Sequence, residues 1–160
     1  MDIFLTPELK SYYLAELNKA KQIKDKDWDI DKGLIHILDE INLNPNIQTI
    51  LSKRSENLNR DNVSYLHLAH TKESYHNLNN ALENVKSIMM NQGTCGGDLF
   101  YLASNNYKAK TTYKGKHTLD VLSNTERYTN INCFIIEMYS FEPKDHNLFW
   151  NELLNELKNC

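Results

Sequence analysis

Residues 131–141 contain the run Cys133-Phe134-Ile135-Ile136, which is apolar at every successive position. Side chains on a strand point alternately to its two faces, so a run of this kind is stable only where both faces are covered. It therefore reads as a central strand, ended by Pro143. A central strand needs neighbours, and four other segments qualify. Residues 63–70 are short and apolar-rich, with polar residues on either side. Residues 99–104 are a second apolar run. In 107–113, Tyr107, Ala109, Thr111 and Tyr113 alternate with Lys108, Lys110 and Thr112, as on a strand with one wet face. Residues 117–122 are the last. Asn105-Asn106 tolerates positive φ and reads as a tight turn, and Lys114-Gly115-Lys116 as the next.

Helical spacing is clearest at Tyr75, Leu78, Leu82, Val85 and Met89, which repeat at steps of three and four. A helix over 73–91 follows, with Thr71 as its cap and Gly93 as its stop. A second, over 145–158, carries Leu148, Phe149, Leu153 and Leu157, with Asp145 as cap. Near the start, Thr6-Pro7 is a cap followed by a residue pre-set for the first turn. Leu9, Tyr13, Leu17 and Ala20 then share one face. A further helix is expected over 31–42, with Leu34, Ile35, Leu38 and Ile41 inward. Asn44-Pro45 opens a third, carrying Ile47, Ile50 and Leu51. The expected fold is α+β: a helical N-terminal third, then a mainly antiparallel sheet of about four to five strands with two helices packed on it. One domain over 1–160 is expected, with a helical subregion 1–60 and an α+β subregion 61–160.

Composition narrows the setting. The chain is 41% hydrophobic and 24% charged, with 18 basic and 21 acidic residues giving a net charge of -3. No apolar run approaches the roughly 20 residues that a membrane-spanning helix needs. Met1-Asp2-Ile3-Phe4-Leu5 lacks the basic residues of a secretory leader, and Pro7 follows at once. Cys95, Cys133 and Cys160 are odd in number and far apart, as suits reduced thiols, so a cytoplasmic location is expected. The 21 Asn, 15 Lys against 3 Arg, and 12 Ile against 3 Val suit an AT-rich genome such as that of a low-GC bacterium.

Four constellations could carry chemistry. Asp25, Asp27, Asp29 and Asp31 alternate before Gly33. This resembles the start of an EF-hand calcium loop, whose oxygens converge on a hard cation. The match fails twice: Gly33 comes one residue late, and Leu38 stands where a bidentate Glu is needed. No metal site is therefore expected. The same acids surround Trp28, with Asp39 and Glu40 a turn or two further on. An aromatic anchor among carboxylates suits a surface that fills a basic cleft, because aromatics supply desolvated contact and charges steer the encounter. The plainer alternative is a buried Trp28 beside a solvated acidic loop whose last Asp caps a helix.

Cys95 sits in the turn Gly93-Thr94-Cys95-Gly96-Gly97, where an exposed thiol near backbone donors suits a nucleophile. It would need a base from among His67, His70, His76 and His117, and His117 is the weak candidate carried with Cys95. The plainer alternative is a helix stop with an incidental thiol. His67 and His70 are three apart, which on a strand sends them to opposite faces and excludes joint chelation. Lys108, Lys110, Lys114, Lys116, His117 and Arg127, interleaved with Tyr107, Tyr113 and Tyr128, could hold phosphates and stack bases. An ordinary exposed hairpin shows the same alternation, since edge lysines discourage aggregation. No nucleotide loop, metal cluster, triad or cofactor motif is legible. The expected function is non-enzymatic binding of another protein, in the manner of a small cytoplasmic inhibitor. An immunity protein neutralising a bacterial toxin, or a mobile-element protein blocking a host factor, is the concrete form. The expected binding residues are Asp25, Asp27, Trp28, Asp29, Asp31, Asp39 and Glu40. The first alternative is a Cys95/His enzyme, and the second a nucleic-acid binder using the 107–117 hairpin.

Overall fold

The computed structural model describes residues 2–22, 32–54, 62–93, 98–110 and 128–160. In chain order the elements are β1 (Asp2–Ile3), α1 (Pro7–Ala20), α2 (Lys32–Asn42), β2 (Ile47–Lys53), β3 (Val63–His70), α3 (Tyr75–Gln92), β4 (Asp98–Lys110), β5 (Tyr128–Tyr139) and α4 (Pro143–Leu157). The class is α+β.

β5 is the hub of the sheet. It pairs antiparallel with β3 along one side and with β4 along the other. β2 completes a hairpin with β3, so the antiparallel part runs β2-β3-β5-β4. β3 and β4 are mutually parallel, joined through α3, and β5 lies between them as in a split β-α-β unit. The short β1 pairs parallel with β5, Ile3 opposite Ile131, on the side that β3 occupies further along. Leu5 N–H donates to the His70 carbonyl at 2.8 Å where β1 and β3 meet.

One face of the sheet presents Ile47, Leu66, Leu68, Phe134, Ile136, Met138 and Leu99 to α2, α3 and α4. These helices answer with stripes at helical spacing. Leu34, Ile37, Leu38 and Ile41 come from α2, Leu78, Ala81, Leu82, Val85 and Met89 from α3, and Phe149, Trp150, Leu153 and Leu157 from α4. Each fully buried large side chain contributes about 1.5–3 kcal/mol relative to exposure. The α2 helix thus shares one core with the elements that follow it. On the opposite face α1 covers one end, where Leu5, Leu9, Tyr12 and Tyr13 pack on Ala69, Ile131 and Ile50. Thr6 caps α1 as expected, its Oγ1 accepting from Leu9 N–H at 3.2 Å.

The structure corrects several expectations. Residues 47–53 form strand β2 and not a third helix. Asn42 fixes the entry to it, donating from Nδ2 to Thr49 Oγ1 at 2.8 Å and accepting from Thr49 N–H at 2.9 Å. Asn105-Asn106 is no turn: β4 runs unbroken, and the register with β5 shifts by one residue between Ser104 and Tyr107. Two residues there face the single Asn132, which is a β-bulge. The cap position of α3 is Ser74 and not Thr71, and that of α4 is Glu142 and not Asp145. The strand expected at 117–122 and the last residues of 107–113 lie outside the described residues.

Candidate interaction surface

Of the expected binding residues, Asp25, Asp27, Trp28, Asp29 and Asp31 lie outside the described residues. Asp39 is on the exposed side of α2 and accepts an ion-pair hydrogen bond from Lys21 Nζ at 2.5 Å. Glu40 beside it is half-buried. Cys95 and His117 also lie outside, as do Lys114, Lys116 and Arg127. Lys108 and Lys110 fall on the last part of β4. His67 and His70 take opposite faces of β3. His70 is buried among Phe4, Tyr75 and Phe134, and its Nδ1 donates to the Thr71 carbonyl at 2.8 Å. Burial lowers its pKa. Among the described residues no three His, Cys, Asp or Glu side chains gather as a metal site would require.

A cluster that sequence reading passed over joins Ser64, Ser140, Asp145 and His146. Ser64 Oγ is 2.7 Å from His146 Nδ1, and His146 Nε2 donates to the Ser140 carbonyl at 2.8 Å. Ser140 Oγ donates to Asp145 Oδ2 at 2.5 Å and accepts from Glu142 N–H at 3.0 Å. The residue types are those of a hydrolase triad, but the geometry is not. Asp145 accepts from Ser140, and the ring nitrogens of His146 are taken up by Ser64 Oγ and the Ser140 carbonyl. All four residues are at most 2% exposed. A general base must reach a nucleophile that substrate can approach. This cluster therefore fastens the start of α4 to β3 and β5. Cys133 is equally unsuited to catalysis, since burial pushes its thiol up to about 12.

Among the described residues nothing packs over the sheet face opposite the main core beyond α1. That face carries Tyr65 and His67 from β3, Ile135, Glu137 and Tyr139 from β5, and Phe100 and Leu102 from β4. Phe100 is 61% and Leu102 64% exposed, and Tyr139 37%. Glu137 stands at the centre, opposite Tyr65 on one side and Phe100 on the other. Tyr139 Oη donates to Glu137 Oε2 at 2.7 Å, which holds the phenol above its ordinary pKa. Phe100 and Tyr139 meet edge to face with centroids 6.2 Å apart. His67 stacks at 5.4 Å from Tyr65, and burial outweighs the nearby Glu137 to lower its pKa. The result is an apolar and aromatic strip around one carboxylate, carried on three hydrogen-bonded strands. Its signal in the sequence was Leu99 through Ala103: a wholly apolar run on an edge strand must expose every second side chain unless the second face is covered. No protein-family model, curated protein or solved structure matches this chain.

Proposed function

We propose that this protein is a non-enzymatic module that binds another protein, with the open sheet face as its contact surface. The observation that carries this is the exposure of Phe100 and Leu102 beside Tyr139 on a rigid sheet. Large apolar side chains grouped on one exposed face mark interaction sites, and aromatics anchored on strands lose little entropy on binding. The acidic balance of the chain, with Asp25, Asp27, Asp29, Asp31, Asp39 and Glu40 close in sequence, suits a partner with a basic cleft. Trp28 is the aromatic anchor of that acidic segment. The concrete form is a small cytoplasmic inhibitor, such as an immunity protein that neutralises a bacterial nuclease toxin or a mobile-element protein that blocks a host factor.

The test expresses the product of the adjacent reading frame in the native host with and without this protein. Relief of growth inhibition and co-elution of the pair are expected. Phe100→Ser with Leu102→Ser should weaken the complex at least about ten-fold without lowering Tm. Toxicity that persists in the presence of the wild-type protein, or affinity untouched by the double substitution, ends this reading.

A further inference from the structure

The two outer edges of the sheet are treated differently. In the first half of β2 the outward groups are occupied: Lys10 Nζ donates to the Ile47 carbonyl at 2.6 Å, Thr49 N–H reaches Asn42 Oδ1, and the Thr49 carbonyl accepts from Gln48 Nε2 at 3.2 Å. At β4 the outward groups can be assigned from the ladder. Ser140 N–H donates to the Asn62 carbonyl in register with the β3–β5 pairs, so even-numbered residues of β5 address β3 and odd-numbered ones address β4. Their β4 partners Asp98, Phe100, Leu102 and Ser104 therefore point their backbone groups inward. Leu99, Tyr101 and Ala103 point theirs outward. Among the described residues nothing pairs with them.

We infer that β4 is the contact through which two copies of this chain associate, pairing antiparallel about a two-fold axis at Tyr101. The bulge at 105–106 breaks the hydrogen-bonding phase. Regular pairing is thereby confined to 98–104. A strand pairing with its own copy around a two-fold is necessarily antiparallel and closes the contact. Centring it on Tyr101 uses that whole stretch. Leu99 then faces Ala103 of the second copy, and Tyr101 faces Tyr101. The three outward pairs exchange about six hydrogen bonds. The same register sets Phe100 opposite Leu102 twice, on the open face, so the two most exposed apolar side chains of β4 cover one another. The two open faces become one continuous strip across an enlarged sheet. The contact shares Phe100 and Leu102 with the binding function proposed above, and Ala103→Pro, which alters no side chain of the open face, separates the two: it should dissolve the dimer and leave partner binding in place.

Sedimentation equilibrium of the full chain from about 1 to 100 µM tests it. The expected mass rises with concentration to twice 18.7 kDa. Ala103→Pro removes one outward N–H without touching the β5 ladder, so it should raise the dimer dissociation constant at least about ten-fold. Leu102→Lys should do the same. Ile135→Lys alters the open face away from the edge and should leave the dimer intact. In wild-type protein, amide exchange at Leu99, Tyr101 and Ala103 should slow as concentration rises, which reads the contact without any substitution. A monomer at every concentration overturns the inference. So does a dimer that Ile135→Lys dissolves and Ala103→Pro spares, since that is packing of faces and not pairing of edges.

Discussion

His70 puts an imidazole where no charge is welcome, between Phe4, Tyr75 and Phe134. Its pKa in the folded protein is lowered below the ordinary 6.5, while the unfolded chain keeps that value. Below pH 6.5 the unfolded state therefore binds more protons, and stability falls as pH drops through 6.5 towards the lower folded value. Urea midpoints between pH 5 and 7.5 should show this decline, and His70→Gln should reduce its slope, His67 supplying part of the rest. The buried cluster around His146 makes a separate prediction. His146→Ala removes the side-chain partner of the Ser140 carbonyl and one partner of Ser64, and should cost about 1–3 kcal/mol. Thermal unfolding measures it. At Cys133 the raised thiol pKa predicts that a maleimide or disulfide reagent at pH 8 leaves this cysteine untouched in the native protein, and modifies it once urea unfolds the chain. Tandem mass spectrometry of the labelled peptide decides it. None of these three environments could be read from the sequence, because each depends on which distant segment lies across the sheet.

Among the elements, legibility varied with how far local chemistry fixed the outcome. Thr6-Pro7 and the stripe from Leu9 to Leu17 dictated α1, and the repeat through Met89 dictated α3. Cys133-Phe134-Ile135-Ile136 marked the central strand because no edge position would tolerate it. Residues 47–53 were misleading for a physical reason. Ile47, Ile50 and Leu51 fall at helical spacing, yet on β2, which bulges between Thr49 and Leu51, they do not share one face. Ile47 enters the main core, and the extra residue Ile50 turns to the opposite face to meet α1. A one-residue slip of this kind disguises period two as period three to four. The same device at Asn105-Asn106 passed for a turn, since turns and bulges favour similar residues. The β2 entry depends on the paired hydrogen bonds between Asn42 and Thr49, so Asn42→Ala should cost about 1–3 kcal/mol. Asn44 does related work at the far side, donating to the Leu157 and Cys160 carbonyls at 2.8 Å each and closing the end of α4.

For the whole molecule, the asymmetry of the sheet matters most. α2, α3 and α4 cover one face, and α1, whose Leu17 also reaches that core, covers part of the other. The acidic segment around Trp28 was legible as a candidate from the sequence; the run Leu99 through Ala103 signalled the open strip only in part, because recognising it requires knowing that nothing packs over Phe100 and Leu102 among the described residues. Replacing both with Ser should shift Tm by less than about 1–2 °C, since exposed positions contribute little to the folded state. The topology also bears on synthesis. β5, which joins β1, β3 and β4, begins at residue 128, so among the described strands all the earlier ones except the β2–β3 hairpin leave the ribosome before their partner exists. A nascent chain stalled ahead of Tyr128 would hold β3 and β4 with bare flanks, vulnerable to protease and dependent on chaperones, and addition of β5 and α4 would convert it abruptly into a resistant form.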